Sequence, residues 1–273
     1  MLRRLFHHKG AMITICILTI IVLMGVFAPI VAPNDPLEVD MMNRFASPNA
    51  EFPLGGDQLG RCILSRLIWG IRPTLGLAAL TMIGTMGIGL AVGLASGYFR
   101  GWIDEILMRL VDVLLSFPSQ IMVFAVVALL GINVANVVIA NVCIKWAWYA
   151  RMIRTNVIKY RSENFVNFSN VVGNSNRFIL LKHLLPSIAA ESAMLASLDM
   201  GWAIINISTL SFLGMGVSAP TPEWGAMLND AKQVFILNPM QMLAPGITIM
   251  VVVALFNMLG DVLRDALDPK EVM

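Results

Sequence analysis

Charge is what this chain has least of. Only 13% of its 273 residues are Asp, Glu, Lys or Arg, while 58% are hydrophobic. A water-soluble domain of this size needs far less apolar surface, and a mean hydropathy of +0.77 marks a polytopic membrane protein. Cysteine is nearly as scarce. Cys16, Cys62 and Cys143 show no paired spacing, which favours small buried hydrophobes over a disulfide framework or a metal site. Histidine is confined to His7, His8 and His183, all in polar stretches, so no residue is assigned as a metal ligand. A phosphate-cradling Gly-x-x-x-x-Gly-Lys-Ser/Thr loop, a His-Glu-x-x-His helix, a Cys-x-x-Cys pair and a Ser-His-Asp arrangement are all missing. Catalysis by this chain is therefore not expected. Uphill transport would draw its energy from another subunit or an ion gradient.

What is present is a series of apolar runs. Spans are expected at 11–32, 74–98, 110–130, 134–149, 187–210 and 242–259, each near the length that crosses a hydrocarbon core of about 30 Å. The first follows Arg3, Arg4 and Lys9 and lacks a small-residue cleavage site, so it reads as a retained anchor. The expected architecture is an all-α membrane protein of six transmembrane helices with both termini cytoplasmic. Residues 1–10 form the inner N-terminus, 11–260 the membrane domain and 261–273 an inner, charged tail. Outer loops are expected at 34–72 and 214–240. Within the first, Leu59, Ile63 and Leu67 have helical spacing and suggest a segment lying along the outer interface. Arg61, Arg66 and Arg72 stand there against the usual inward bias of Lys and Arg.

Several positions inside the spans carry information. Gly89, Gly93 and Gly97 recur every fourth residue, as a seam for close helix approach or as glycines merely tolerated in a membrane helix. Pro118 should kink the third span, and Arg109 and Asp112 sit one turn apart at its inner end. Lys145, Trp146, Trp148 and Tyr149 read as an interfacial belt with a snorkelling lysine, rather than as a cation-repelling gate. Asp199 lies midway along the fifth span, where a carboxylate normally faces a cavity or a polar partner. It either lines a translocation path and favours a cationic substrate, or is held by a neighbouring helix or subunit. Asp199, Pro118 and Asn206 are the candidate path residues.

Between the fourth and fifth spans lies a basic island, 151–186, with Arg151, Arg154, Lys159, Arg161, Arg177 and Lys182 against the single acid Glu163. Its charge places it at the cytoplasmic surface. Within it, 163–173 reads as a short helix carrying Phe165, Val166, Phe168, Val171 and Val172 mostly along one side, stopped by Gly173. Such a helix docks on lipid headgroups or in a groove on a partner.

In this island Glu163, Gly173 and Leu185-Pro186 match, in order and spacing, the cytoplasmic signature of bacterial ABC-importer permeases, which the chain resembles. Phe168-Ser169 stands where that signature has small residues. Further stretches resemble the dipeptide/oligopeptide/nickel branch: Gly56-Asp-Gln-Leu-Gly-Arg-Cys-Ile-Leu-Ser-Arg66, Leu210–Val217 with Pro220–Ala226, and Phe256–Pro269. Cys62 replaces an expected aspartate. Lys145–Arg154, Ser197–Gly201 and Met227–Gln233 look most like nickel-import permeases, with di- or oligopeptide permeases sharing most of the frame. The resemblance implies a bacterial inner-membrane protein working with a second, homologous permease, two cytoplasmic ATPase subunits and an extracytoplasmic binding protein. It implies that ATP is hydrolysed by those partners, that no cofactor is bound by this chain, and that nucleic acid is not a partner. It further implies that Glu163, Phe165, Val166, Phe168, Ser169, Val171, Val172 and Gly173 form the coupling helix that docks on an ATPase.

Overall fold

A computed structural model describes residues 9–267; the basic and histidine-bearing residues 1–8 and the end of the tail, 268–273, lie outside the described residues. Among the described residues regular structure is helical, apart from one isolated antiparallel bridge between Gly56 and Cys62. The elements are α1 (Lys9–Val26), α2 (Ala28–Val31), α3 (Ile63–Phe99), α4 (Gly101–Leu115), α5 (Ser119–Leu130) and α6 (Val134–Arg161). There follow α7 (Asn164–Val171), α8 (Asn176–Ile179), a π-helical turn Leu180–Leu184, α9 (Leu185–Phe212), α10 (Trp224–Ala231) and α11 (Met240–Leu267). Among the described residues, three helices are long and apolar enough to cross a membrane: Ile63–Phe99, the run Asn176–Phe212, and Met240–Asp265. The pair α4 and α5 makes a fourth if its bent halves count as one span, and Gly10–Val26 is a shorter apolar helix.

The longest helix departs from the expected pattern. An interfacial segment over 59–71 and a separate span from residue 74 were expected; instead 63–71 and that span form the single 37-residue α3, with Pro73 inside it, and 59–62 precede it outside the helix. At 1.5 Å per residue this rod is about 55 Å long, well beyond a hydrocarbon core, so its charged first turns need not enter lipid. Its arginines are each answered within the chain. Arg72 donates to the carbonyls of Gly25 (2.6 Å) and Val26 (2.7 Å), satisfying the end of α1.

The third span is broken rather than kinked. α4 ends at Leu115, α5 begins at Ser119, and the two are bent by 87°. Proline lacks an N–H and drives the residue before it out of the helical region. The Pro118 carbonyl then starts α5 by accepting from the N–H groups of Ile121 and Met122. Asp112 pairs across to Arg151 of α6, rather than with Arg109 one turn away.

The glycine seam is a packing device. α3 lies against α6, and a Cβ at Gly89 would sit 2.4 Å from the Tyr149 Cβ. At Gly93 it would lie 2.8 Å from the Ala150 carbonyl oxygen, and at Gly97 2.8 Å from Val157. The seam therefore sets the distance between the two helices. Two apolar clusters stack along α3. At its N-terminal end Ile63, Leu67 and Ile71 pack with Ile204 and Ile207 of α9 and Trp224 of α10. At its C-terminal end Tyr98 packs with Ile153 and Val157 of α6, Val166 of α7, and Ile179, Leu184 and Ile188. α7 and α10 thus lie at opposite ends of the bundle. Cys62 is buried, as expected of a small hydrophobe, but Cys16 and Cys143 lie exposed on helix surfaces.

Candidate functional site

The expected docking helix forms as α7, with Glu163 in extended backbone at its N-cap position and Gly173 (φ +84°) in the left-handed conformation after its last turn. Its residues divide between two sides. Val166 and Ser169 are buried, whereas Phe165, Phe168, Val171 and Val172 are exposed, Phe168 to 71% and Val171 to 86%. The expectation that Val166 shares the outward side is therefore corrected. One helical turn separates Phe168 from Phe165 and from Val171 and Val172, while Val166 and Ser169 form the opposite ridge. Ser169 Oγ accepts from Asn174 Nδ2 (2.9 Å), tying the helix to the turn that follows. The Phe165 and Phe178 rings approach His183 at 5.9 and 5.5 Å.

The base beneath α7 is braced by polar pairs. Arg154 binds Asp104 through both Nε and Nη2, each at 2.6 Å, and Ser96 donates to the same carboxylate. Tyr98 donates to Asn176 Oδ1 (2.8 Å), and Tyr160 to Glu191 (3.2 Å). Burial, together with the Glu191 carboxylate beside it, pushes the Tyr160 phenol up, so it stays a proton donor. Through Val166, α7 joins an apolar cluster with Ile153 and Val157 of α6, Ile179 of α8 and Ile188 at the foot of α9.

Those two helices carry the candidate path. Midway along the bundle, α6 and α9 with the α4–α5 break enclose an open cavity of about 660 Å³. Asp199 and Asn206 line it, as expected; Pro118 does not, though the break it causes brings Ser119 and Gln120 to the wall. Lys145 lines the same cavity. The belt reading of this stretch is corrected, because α6 continues to Arg161 and Lys145 is far from either end. Of the aromatic residues, only Trp148 is exposed; Trp146 and Tyr149 are buried. Lys145, Tyr149 and Asp199 line the same wall of this cavity. The Tyr149 hydroxyl is buried in it.

At the α10 end the structure explains motifs that the sequence left without a role. Asp57 Oδ2 accepts from Arg61 Nε and Arg66 Nη1, both at 2.7 Å, and these three side chains are no more than 3% exposed. Both arginines also reach Asp230 of α10, at 3.4 and 3.3 Å. Two cations face two carboxylates, so the buried group is neutral as a whole. Glu223 is fully buried and caps α10 by accepting from the Ala226 N–H (2.9 Å). It also takes hydroxyls from Thr74 and Ser208, while Trp224 Nε1 donates to the Leu67 carbonyl (3.0 Å). The available signal was the misplaced charge: arginines in an outer loop that no lipid headgroup accounts for.

Residues 86–272 match the family model described as binding-protein-dependent transport system inner membrane component. Residues 1–48 match that of the N-terminal TM domain of oligopeptide transport permease C. The chain is 42% identical over 269 residues to the metal-staphylopine import system permease protein of Staphylococcus aureus, covering 98% of this chain and 93% of that protein. It is 40% identical over 237 residues to the nickel transport system permease protein of Escherichia coli, covering 87% and 86%. It is 38% identical over 268 residues to the dipeptide transport system permease protein of Alkalihalophilus pseudofirmus, covering 98% and 88%. In fold it is similar to the MetNI methionine ABC transporter in an inward-facing conformation, with a TM-score of 0.55 at 17% identity, covering 76% of this chain and 98% of that one.

Proposed function

The chain belongs to the family of inner membrane components of binding-protein-dependent transport systems, a family of ABC-importer permeases, and from that premise we propose that it forms half of the translocation path for nickel, carried as the ion or as a chelate. The observation that carries the metal reading is the similarity to the nickel and metal-staphylopine permeases over most of the chain. In this reading six spans cross the inner membrane with both termini in the cytoplasm, 151–186 is the cytoplasmic coupling loop, and 34–72 and 214–240 face outward. A second, homologous permease completes the path, and an extracytoplasmic binding protein delivers the substrate.

Two partner ATPases supply the energy, and this chain binds no cofactor of its own. The exposed side of α7, Phe165, Phe168, Val171 and Val172, seats in a groove on one ATPase. What supports this is a continuous apolar strip on a helix whose other side is already buried. Docking alone does no work; the strip must be held differently in the two nucleotide states to bias the permease. Because Val166 shares one apolar cluster with α6, with Ile179 of α8 and with Ile188 of α9, a displacement of α7 is passed through that cluster to the helices that carry Lys145 and Asp199. Packed elements of this kind transmit motion as units.

A second reading, import of di- or oligopeptides by the same machine, is favoured by the similarity to the dipeptide permease over 98% of the chain. The deciding experiment is uptake of labelled nickel at nanomolar concentration in cells with and without this gene, with excess dipeptide as competitor. Gene-dependent uptake that ignores the dipeptide supports the metal reading. Absent nickel uptake with gene-dependent growth on peptides replaces it by the second.

A further inference from the structure

The helix that opens the broken third span has three sides rather than two. At 3.6 residues per turn, Trp102, Ile106, Leu110 and Val113 of α4 fall within an arc of about 80°, and each is more than half exposed. Glu105, Arg109 and Asp112, also exposed, occupy the next arc of about 60°. The remaining side packs inward. Val111 is buried in a cluster with Trp146, Ala147 and Ala150 of α6, and Asp104 accepts from Arg154 through both carboxylate oxygens. A surface helix of a water-soluble fold needs one apolar side for its core and one polar side for water. A second apolar side, exposed along the whole helix beside the polar one, calls for a second apolar medium.

The direction of α4 says where that medium lies. Asp104 pairs with Arg154 and Asp112 with Arg151, so an advance of about 12 Å along α4 matches only about 4.5 Å along α6. α4 therefore crosses α6 steeply. α5 instead runs alongside α6, where Val123 and Val127 share a cluster with Val137, Ala140 and Ile144, and α4 is bent from α5 by 87°. We infer, resting on the topology proposed above, that α4 lies flat in the cytoplasmic interface of the bilayer, with its Trp102–Ile106–Leu110–Val113 strip among the acyl chains and its charged arc at the headgroups, so that α5 alone carries the third span outward. The partner of this face is a lipid surface. The charges agree with that partner: exposed Arg100 and Arg109 meet lipid phosphates, Glu105 faces water, and Asp112 is answered by Arg151. A protein partner covering the strip would also press on the charged arc, and the centres of such interfaces are poor in charge. The headgroup region accepts both, and Trp102 is the residue type that concentrates there. Through Asp104 and Asp112, α4 ties the inner part of α6 to the membrane surface.

The test places the whole importer, with its co-expressed partner subunits, in vesicles of phosphatidylethanolamine and phosphatidylglycerol. Each sample carries one nitroxide-labelled cysteine, in a background with Cys16, Cys62 and Cys143 replaced by alanine. The labels are introduced by Trp102→Cys, Ile106→Cys, Leu110→Cys and Val113→Cys, four exposed sites, so that poor assembly at one still leaves a profile. Depth is read from relaxation by oxygen, which concentrates among acyl chains, against relaxation by chromium oxalate, which stays in water. The inference predicts that the four labels share one depth, about 5–10 Å into the headgroup–acyl boundary, while a label at Glu105→Cys is open to chromium oxalate. A helix that crosses the bilayer instead separates Trp102→Cys from Val113→Cys by about 16 Å in depth, and that result overturns the inference. Labels shielded from both agents lie against another subunit, and labels reached throughout by chromium oxalate lie in water; either overturns it as well. Sidedness is read separately, by reacting Glu105→Cys in intact cells with an impermeant maleimide added outside. Reaction there overturns the proposed topology and the inference with it. Protection there, with a wrong depth profile, overturns the inference alone.

Discussion

Asp57→Ala should be among the most damaging single changes outside the candidate path. Arg61 and Arg66 have side chains 3% and 2% exposed, and Asp57 is the shorter-range partner of both, at 2.7 Å. Without it, two buried guanidinium groups share Asp230 alone, at 3.4 and 3.3 Å. Removing one partner of a buried ion pair costs about 3–5 kcal/mol, because the remaining charge cannot recover its hydration. At about 2–4 °C per kcal/mol for a chain of this size, Tm should fall by roughly 6–20 °C. The assay is thermal unfolding of the purified protein in detergent, read by intrinsic fluorescence. Asp112→Ala is the internal control. Its pair with Arg151 has side chains 57% and 47% exposed, and exposed pairs contribute about 0–1 kcal/mol. If Asp57→Ala melts within error of Asp112→Ala, the group is hydrated and does not hold residues 57–66 against α10.

Two further outcomes follow from close packing and capping. Gly93→Val places a Cβ 2.8 Å from the Ala150 carbonyl and from the β-branched Ile153. Neither can yield cheaply, so α3 and α6 must separate, at a cost of about 1–3 kcal/mol or more; the folded yield on size-exclusion chromatography should drop. Gly76→Val has open space around its Cβ and should leave that yield intact. Glu223→Ala removes the α10 cap and strands the Thr74 and Ser208 hydroxyls. A lost cap costs about 0.5–2 kcal/mol and a stranded buried polar group about 1–3, so Tm should fall clearly, and less for Glu223→Gln, which keeps an acceptor oxygen.

Much of this was legible because lipid and water impose opposite demands. The 151–186 island announces itself by charge, and Gly173 ends α7 where a left-handed residue was expected. The four-residue spacing of Gly89, Gly93 and Gly97 marks the seam that receives α6. Misreadings arose where a charge is answered by a distant residue. Arg61 and Arg66 looked out of place in an outer loop because the group that holds them joins the nearby Asp57 to a second carboxylate, Asp230, 169 and 164 positions away. Lys145 looked interfacial because the apolar run thins at residue 149, although α6 itself runs on to Arg161. Val166 and Phe168 are both apolar, and which of them faces inward is decided by the angle at which α7 meets α6. No local pattern encodes that angle.

The central claim is that motion of partner ATPases reaches the cavity through the outward side of α7. Its most direct test is the reconstituted importer carrying Phe168→Glu, with ATP hydrolysis and uptake of the substrate identified in cells measured together. A charge at this 71% exposed position leaves the Val166 core untouched. The account predicts normal insertion with uptake reduced at least about tenfold per ATP hydrolysed, as expected for loss of an interface anchor. Uptake per ATP equal to wild type would contradict it.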